Sequence, residues 1–524
     1  MKLRTIVKIA ITSSVVLLCS GFALYSFFRL SAAEGQKDFN LYELVPSATS
    51  AVFVTDDVLE FVAEVDELTC SKNQQYLYVS KLFSYLKQSL YALSEDTPHG
   101  LSRQMNQMLI SFHEPDNERN QVLYCRLGNG DKELVNRFVR KYISSLYPPK
   151  TFIYKGEEII IYPMADGDFL ACYLTSDFMA LSFQKKLIEN VIDAYKSGKS
   201  LADDSTFTGI RAPKKSAAAA TIYTRMQGMM GWTEFDMKMK DDFIYFSGIT
   251  HDADTCFAFI NQLRQQQSVK GFPGEVLPST AFYFSRQGIT DWVSLLSYGN
   301  AQGQSVPART SEVQNRDKEF SRYLMENAGQ DLVACLFQRE DTLQGAAAVL
   351  SLSVADVTEA ERMLRALVNA ASADEGRRNP RITFCYTVNK AYPIYRLPQT
   401  TLFEQLTSFA EPTLDVYAAF YGGRLLLAPD ADALAHYIRQ LDKGEVLNGA
   451  MAYQTGMDHL SDSYHFMLMA DFDHIFQQSE NHVRFVPDFF LRNADFFRHF
   501  TLFVQFACAD GMVYPNIVLK YKSE

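Results

Sequence analysis

The sequence predicts an α+β fold in which an N-terminal transmembrane helix precedes two tandem repeats of an antiparallel sheet with helices on one face. Three observations lead to this prediction. Residues 9–28 carry no charge, the pattern of residues 179–201 returns at 425–447, and similar strands and helices surround both segments in the same order. A chain of 524 residues is also too long for one ordinary core.

The N-terminal residues are predicted to anchor the protein in a membrane. Residues 1–8 form a basic cytoplasmic tail, and residues 9–28 are long enough to cross a bilayer as a transmembrane helix or signal anchor. Residues 29–41 follow as a linker. Because positive charge precedes the span, we expect a single-pass protein of the inner (cytoplasmic) membrane, with a cytoplasmic N-terminus and a periplasmic or otherwise extracytoplasmic ectodomain.

The apolar segment is also compatible with two alternatives to a membrane anchor. A cleaved signal peptide would end at the small residues Ser31, Ala32 and Ala33, and a lipoprotein would be attached through Cys19. The anchor and both alternatives place the rest of the chain outside the cytoplasm.

The internal duplication is predicted from a strand–helix–glycine unit that occurs twice. The two segments align without a gap, and this alignment superposes Leu181 on Leu427, Ile192 on Ile438, Gly198 on Gly444 and Leu201 on Leu447. The apolar residues recur at helical spacing, and each glycine stands where a left-handed residue ends a helix. A Leu/Val-Pro-Ser turn also precedes the first apolar strand of each repeat.

Each repeat is predicted to contain a strand, helices, a hairpin, a helix, a hairpin, a helix and a closing hairpin. Hairpins that alternate with helices are typical of antiparallel sheets covered on one face. The glycine- and proline-rich segment at Gly271 separates ectodomain repeat 1 (42–270) from ectodomain repeat 2 (271–524). The sequence leaves open whether the repeats share one sheet.

Composition excludes one class of partner. The formal net charge is −11, and the only basic cluster lies in the first few residues. Because binding to phosphate backbones needs clustered Lys and Arg, we expect no nucleic-acid partner.

The cysteines do not form a recognisable redox or zinc motif. No CxxC occurs, and most of the cysteines lie in strand-like apolar runs such as QVLYCRL and ITFCYT. This pattern favours buried free thiols, although it is also compatible with one disulfide pair.

The sequence carries no motif for a catalytic or cofactor site. It has no GxGxxG, GxxxxGK[ST], HExxH or GxSxG pattern. The acidic and histidine residues between Asp458 and His474 are interpreted as surface residues of a turn rather than as a metal site. We therefore predict no cofactor, no metal and no catalytic residue, and whether the protein is an enzyme stays uncertain.

Two stretches rich in Met and aromatic residues are candidates for an apolar surface. Residues 482–506 hold a dense set of phenylalanines, and the equivalent stretch of the first repeat is rich in Met. Both stretches either complete the core or form a groove for lipid, a peptide or a membrane surface. The candidate residues are Trp232, Met229, Met230, Phe489, Phe490, Phe496 and Phe497.

These patterns resemble a family of envelope-anchored proteins. The basic start with one apolar helix, the Leu/Val-Pro-Ser turn and the strand–helix–Gly–Leu unit that ends at Phe207 are similar to a bacterial domain-of-unknown-function family (number 3352). The resemblance spans most of residues 42–524. It implies an extracytoplasmic location and brings no catalytic residues.

The leading functional hypothesis is a membrane-anchored binding or scaffold module of the cell envelope, with an envelope protein or a lipid as partner. Two similar modules create a cleft between them, and clefts of this kind are favoured binding sites. One alternative is a carrier or chaperone for lipid or other apolar cargo. Another is a hydrolase whose site is assembled from residues distant in sequence.

Overall fold

A computed structural model provides the structure of the protein and places most of the chain. It describes residues 39–72, 105–113, 119–128, 131–138, 147–164, 167–211, 218–225, 231–250, 258–293, 295, 311–339, 345–374, 382–388, 390–398, 400–407, 415–477, 486 and 488–522. We refer to residues 39–250 as the first half and to residues 258–522 as the second half.

Strands dominate the described residues. They are β1 Ala51–Thr55, β2 Met108–Phe112, β3 Gln121–Arg126, β4 Lys150–Tyr154, β5 Glu157–Pro163, β6 Phe169–Leu174, β7 Phe178–Ser182, β8 Ala220–Thr224, β9 Thr233–Lys240, β10 Phe243–Thr250, β11 Val269–Lys270, β12 Ala281–Gly288, β13 Ala328–Gln338, β14 Ala346–Val354, β15 Ile382–Tyr386, β16 Ala391–Pro398, β17 Asp415–Tyr421, β18 Arg424–Ala428, β19 Ser463–Tyr464, β20 Phe466–Asp471, β21 Phe500–Ala509 and β22 Met512–Tyr521.

The helices lie between the hairpins. They are α1 Val58–Glu67, α2 Thr69–Lys72, α3 Asp131–Phe138, α4 Lys185–Ser197, α5 Ser205–Ile210, α6 Ala258–Arg264, α7 Ser311–Asn327, α8 Val357–Asp374, α9 Leu402–Leu406, α10 Ala431–Asp442, α11 Met451–Met457, α12 Phe472–Phe476, α13 Asp488–Arg492 and α14 Ala494–Phe497. Single 3-10 turns occur at Leu41–Leu44, Leu201–Asp203, Pro273–Glu275 and Leu447–Gly449.

Twenty of the strands form one continuous antiparallel sheet. The hydrogen-bonded order is β4-β5-β6-β7-β3-β2-β1-β8-β9-β10 in the first half, followed by β22-β21-β20-β12-β13-β14-β18-β17-β16-β15 in the second half. Read inward from β4 and from β15, the two halves place corresponding strands in the same order. The remaining strands, β11 and β19, pair with each other.

The two halves meet where β10 pairs with β22. Ser247 and Asn516 face each other, and each is the fifth residue of its strand, so the strands meet as across a local twofold axis. The pairing is interrupted opposite Pro515 and resumes at Thr250 and Val513. Proline has no backbone N–H to donate, which explains a gap at this point.

Both faces of the sheet are buried. On one face a single core cluster crosses both halves and takes in apolar residues of α1, α7, α8 and α12. On the other face each half has its own cluster, beneath α4 and α5 in the first half and beneath α10 and α11 in the second. Strands that are buried on both faces become nearly continuous apolar runs, as in MLISF and RLLLA.

The repeated glycine unit has the same structural role in each half. Gly198 and Gly444 have φ values of +63° and +76°, which confirms the left-handed conformation expected after α4 and α10. Behind each glycine the chain turns back onto the Pro-Ser turn, because the Leu201 and Leu447 N–H groups each donate to a carbonyl beside the proline at 2.9 Å. Isolated bridges join Pro46 to Ser200 and Pro278 to Val446.

The predicted fold class is wrong in two respects. The chain forms one large antiparallel sheet rather than two sheets in tandem, and helices cover both of its faces rather than one. The physical reason is visible in the central strands. Their apolar runs lack the alternation of a half-exposed strand, because each needs a cover on both sides.

The membrane prediction is also contradicted. The proposed span at residues 9–28, the basic tail and residues 29–38 of the linker lie outside the described residues. Among the helices that the structure describes, none combines the length and the apolar character needed to cross a bilayer. The longest, α8, carries charged residues such as Glu359 and Arg365 along its length. The predictions of a single-pass inner-membrane location and of a signal anchor are therefore wrong.

The described cysteines are free thiols, as the sequence favours. Five of these six are buried and Cys508 is half-buried. Cys19 and Cys256 lie outside the described residues.

Candidate functional site

A cavity of about 230 Å³ opens on the first half of the sheet, on the face that carries α4 and α5. We call it the first-half cavity. Its floor is formed by side chains of β1, β2, β3 and β8, and its walls come from the turn at Leu41–Leu44 and from residues near Arg211 and Ala219. The residues that line it are Leu41, Tyr42, Val54, Thr55, Asp56, Gln107, Leu109, Arg126, Arg211, Ala218, Ala219, Ala220, Thr221 and Tyr223.

Two nearly buried tyrosines line this cavity. Tyr42 is 7% exposed and Tyr223 is 5% exposed. No hydrogen bond joins either hydroxyl to another of the described residues. Burial raises the pKa of Tyr223 to about 12 and raises that of Tyr42 further, so both phenols stay protonated at neutral pH. Neither hydroxyl is among the described buried polar atoms that lack a partner, so both are accessible from the cavity and can donate to a molecule there.

The charged groups around the tyrosines carry both signs, because Asp56 and Asp236 act on them beside Arg126 and Arg211. The guanidinium of Arg211 lies 4.0 Å from the centre of the Tyr42 ring, and Arg126 at the end of β3 supplies a second positive charge. Both arginines act to lower the pKa of Tyr42, against the larger effect of burial. Asp56 is the acidic lining residue, and it accepts a hydrogen bond from the side-chain amide of Gln107.

The second half fills the equivalent space with its own side chains. Val54 and Arg286 correspond, because each lies eight residues after the bridging proline of its half. Val54 pairs with Leu109 in the first half, and Arg286 pairs with Val333 in the second. The long Arg286 side chain therefore occupies space that Val54 leaves open.

The same register identifies two further replacements. Ala218 corresponds to Tyr464, since β8 and β20 pair with the same positions of β1 and β12. The Tyr464 hydroxyl donates to the Gly271 carbonyl at 2.8 Å, and Arg286 donates to the same carbonyl at 2.8 Å. At the position of Tyr42 the second half has Gly274, where a Cβ would lie 2.7 Å from the Tyr453 ring.

A buried ion network completes this filling. Gln107 corresponds to Asp331, whose carboxylate accepts from Arg286 at 3.1 Å and from Arg424 at 3.3 Å. All three of these charged side chains are at most 15% exposed. Burial acts to raise the pKa of Asp331, but the two arginines and Ser353 outweigh it and hold the pKa below its ordinary value.

The residues predicted to form an apolar surface are not brought together. Trp232 is fully buried and packs against Phe207, with ring centres 5.0 Å apart, on the face of the first-half cavity. Phe490, Phe496 and Phe497 pack in the core cluster of the opposite face. Met229 and Met230 lie outside the described residues, as does the side chain of Phe489. The proposed lipid or envelope-protein partner stays a prediction.

The acidic and histidine residues near the end of the chain support neighbouring structure. Asp462 accepts from the Gly271 N–H at 3.1 Å, and His465 accepts from the Cys508 N–H at 3.1 Å. Asp471 caps α12 and pairs with Lys522 at 2.7 Å. Within the described ranges no group of three or more His, Cys, Asp or Glu side chains is placed to hold a metal ion.

The sequence interpretation missed the cavity because its residues are far apart in the chain and belong to no motif. A usable signal was present in the differences between the halves. Aligned at their prolines, the halves place Val54 opposite Arg286, and aligned at their strand–helix–glycine units they place Ala218 opposite Tyr464. Small residues of one half therefore face large polar residues of the other.

No protein-family model, curated protein or solved structure matches this chain. The resemblance to the domain-of-unknown-function family (number 3352) therefore stays a prediction, and the candidate site stands on its geometry alone.

Proposed function

We propose that this protein is a binding protein for a small polar molecule, which it holds in the first-half cavity. The observation that carries the proposal is the pair of buried tyrosines, Tyr42 and Tyr223, whose hydroxyls lack a partner among the described residues. A polar molecule bound in the cavity would accept a hydrogen bond from each hydroxyl, and one such bond contributes about 0.5–1.5 kcal/mol.

The size and lining of the cavity support a small ligand. Its volume of about 230 Å³ is below the roughly 300–1,000 Å³ of pockets for drug-sized molecules. None of the described lining residues is a His, Cys or Lys, and both phenols are held in the protonated form. The described lining therefore favours binding over acid–base or nucleophilic catalysis.

The test is ligand binding by the full chain and by variants of the cavity. We expect a screen of small polar metabolites to raise the melting temperature, and calorimetry to give the dissociation constant of each hit. Tyr42→Phe and Tyr223→Phe should each weaken binding by about 2- to 10-fold, the value of one hydrogen bond. Tyr392→Phe, which removes a hydroxyl from the second half, serves as the matched control.

A second variant introduces into the first half the side-chain types that fill the equivalent space in the second half. Val54→Arg combined with Ala218→Tyr should abolish binding while the far-ultraviolet circular dichroism stays unchanged. If this double variant binds every hit as tightly as the native chain, or if no molecule binds the native chain, the proposal fails.

A further inference from the structure

We propose that the ligand of the first-half cavity is a small monocarboxylate, held through its carboxylate by Arg126 and Arg211. This inference rests on the proposed function, since it names the chemical class of the molecule that the cavity binds. Three observations carry it.

The first observation is the balance of donors and charges in the lining. Two arginines and two tyrosine hydroxyls present hydrogen-bond donors, whereas Asp56 is the acidic lining residue and already accepts from Gln107. Arginine and protonated phenol donate hydrogen bonds to anionic oxygens, and hydrogen bonds to a carboxylate are stronger than those to a neutral acceptor. The described lining thus favours an acceptor-rich anion.

The second observation is that the other half contains such an arrangement within its own chain. The position of Gln107 is taken there by Asp331, and its carboxylate lies between Arg286 and Arg424. The first half has the neutral amide of Gln107 instead, together with two arginines that come from other positions. A ligand carboxylate beside Gln107 would place in the first half the kind of group that Asp331 places at the equivalent position of the second half.

The third observation sets the charge of the ligand. Asp56 is exposed at the edge of the cavity, where its carboxylate would repel a second negative charge. The same carboxylate can accept a hydrogen bond from a hydroxyl or amino group on the ligand. A monocarboxylate with one such group matches both ends of the cavity, whereas a dicarboxylate or a phosphate dianion does not.

The test is a calorimetric comparison of four kinds of probe on the full chain. The probes are hydroxy monocarboxylates of two to six carbons, succinate, inorganic phosphate and glycerol. We expect one or more of the hydroxy monocarboxylates to bind at least 10-fold more tightly than the other three. Arg211→Gln should weaken that binding at least 10-fold, and Arg126→Lys should weaken it by a smaller factor.

The matched control is Arg365→Gln. It removes another arginine that lies over a tyrosine ring, that of Tyr395 in the second half, and should leave binding unchanged. Thermal melts of each variant without probe show whether the fold is retained. Arg126→Lys keeps the positive charge at the more enclosed position, so it keeps the test interpretable if larger changes there prevent folding.

Each outcome separates this inference from the proposed function. Tightest binding of phosphate, succinate or glycerol, or carboxylate binding that Arg211→Gln and Arg126→Lys leave unchanged, overturns the monocarboxylate assignment. If glycerol binds most tightly and Tyr42→Phe weakens its binding, the monocarboxylate assignment fails but the proposed function stands. If no probe or metabolite binds and the denatured protein releases no small molecule detectable by mass spectrometry, both fail.

Discussion

At the scale of single residues, equivalent positions of the two halves leave a space open in one half and fill it in the other. Val54 and Gln107 leave a cavity in the first half, whereas Arg286 and Asp331 fill it in the second. A buried charge is tolerated only when it is paired and hydrogen-bonded. The arginines on both sides of Asp331 pair with its buried carboxylate and donate hydrogen bonds to it. The network is therefore stable only when all three charges are present.

Replacing Asp331 tests that condition. Asp331→Asn keeps the shape but leaves Arg286 and Arg424 without their counter-charge, so we expect the free energy of unfolding to fall by about 3 kcal/mol. Urea denaturation of the two proteins measures the difference. Asp495→Asn is the control, because Asp495 is fully exposed and pairs with Arg498 only at 3.7 Å. Equal losses in the two variants would contradict the network's role.

The stability difference between the native protein and Asp331→Asn should depend on pH. The pKa of Asp331 is held below its ordinary value in the folded protein, so its contribution to stability is present above the unfolded pKa of about 3.9. That contribution is lost as the pH falls through the lower folded value. The stability difference between the native protein and Asp331→Asn should therefore be full at pH 6 and shrink below about pH 4.

At the scale of elements, the equivalent helices α4 and α10 begin differently. Asp430 caps α10 by accepting from the Ala433 N–H at 2.7 Å, and it also pairs with Arg339 at 2.8 Å. Gln184 precedes α4 and makes no side-chain cap, so it bonds to Asn120 instead. The sequence pattern of the two helices matches in phase, yet their N-termini are stabilised by different contacts.

Substitutions at Asp430 separate the cap from the ion pair. Asp430→Ala removes both and should cost about 1 kcal/mol of stability, with a range of roughly 0.5–2 kcal/mol. Asp430→Asn keeps an oxygen that can accept from Ala433 and should cost less, because a half-exposed ion pair contributes little. Chemical denaturation measures both. If the Asn variant loses as much as the Ala variant, the ion pair rather than the cap stabilises α10.

Strand β22 shows where local patterns mislead. Its Pro515 is typical of an edge strand, because proline cannot complete a ladder of hydrogen bonds. The structure nevertheless places β22 in the middle of the sheet, between β21 and β10. The cost is confined to the gap opposite Pro515, and on one side of this gap five consecutive residues of β10 pair with β22, from Phe243 to Ser247.

At the scale of the whole molecule, the sheet and one core cluster run through both halves. A core that both halves share should make them unfold together. The chain provides a probe in each half, since its two tryptophans are Trp232 in the first and Trp292 in the second.

Single-tryptophan variants test this cooperativity. In Trp292→Phe and in Trp232→Phe, the remaining fluorescence should change at the same urea concentration as the far-ultraviolet circular dichroism of that variant. Adding Leu364→Ala, a core change in α8 that costs about 2–5 kcal/mol, should shift both probes equally. If Leu364→Ala lowers the midpoint of the Trp292 signal alone, the halves unfold independently.

Much of the local structure follows from the sequence. The helical patterns of residues 131–146 and 357–371 form α3, over the described residues 131–138 of the first, and most of α8. Gly198 adopts the left-handed conformation that its place after α4 predicts. Residues 76–90, the second of the helices predicted after the first strand of repeat 1, lie outside the described residues. None of the cavity residues was predicted, because a cavity depends on which side chains meet across strands rather than on any short pattern.

The sequence by itself determined where strands, helices and turns form, since periodicity, glycine and proline act over a few residues. Only the tertiary structure decided that twenty strands join in one sheet covered on both faces, and that one half stays open where the other is filled. The pairing of β10 with β22 and the cavity that Val54 and Ala218 both line depend on the placement of residues distant in the chain. A local pattern carries no information about such contacts, because it is satisfied equally by a separate or a shared sheet.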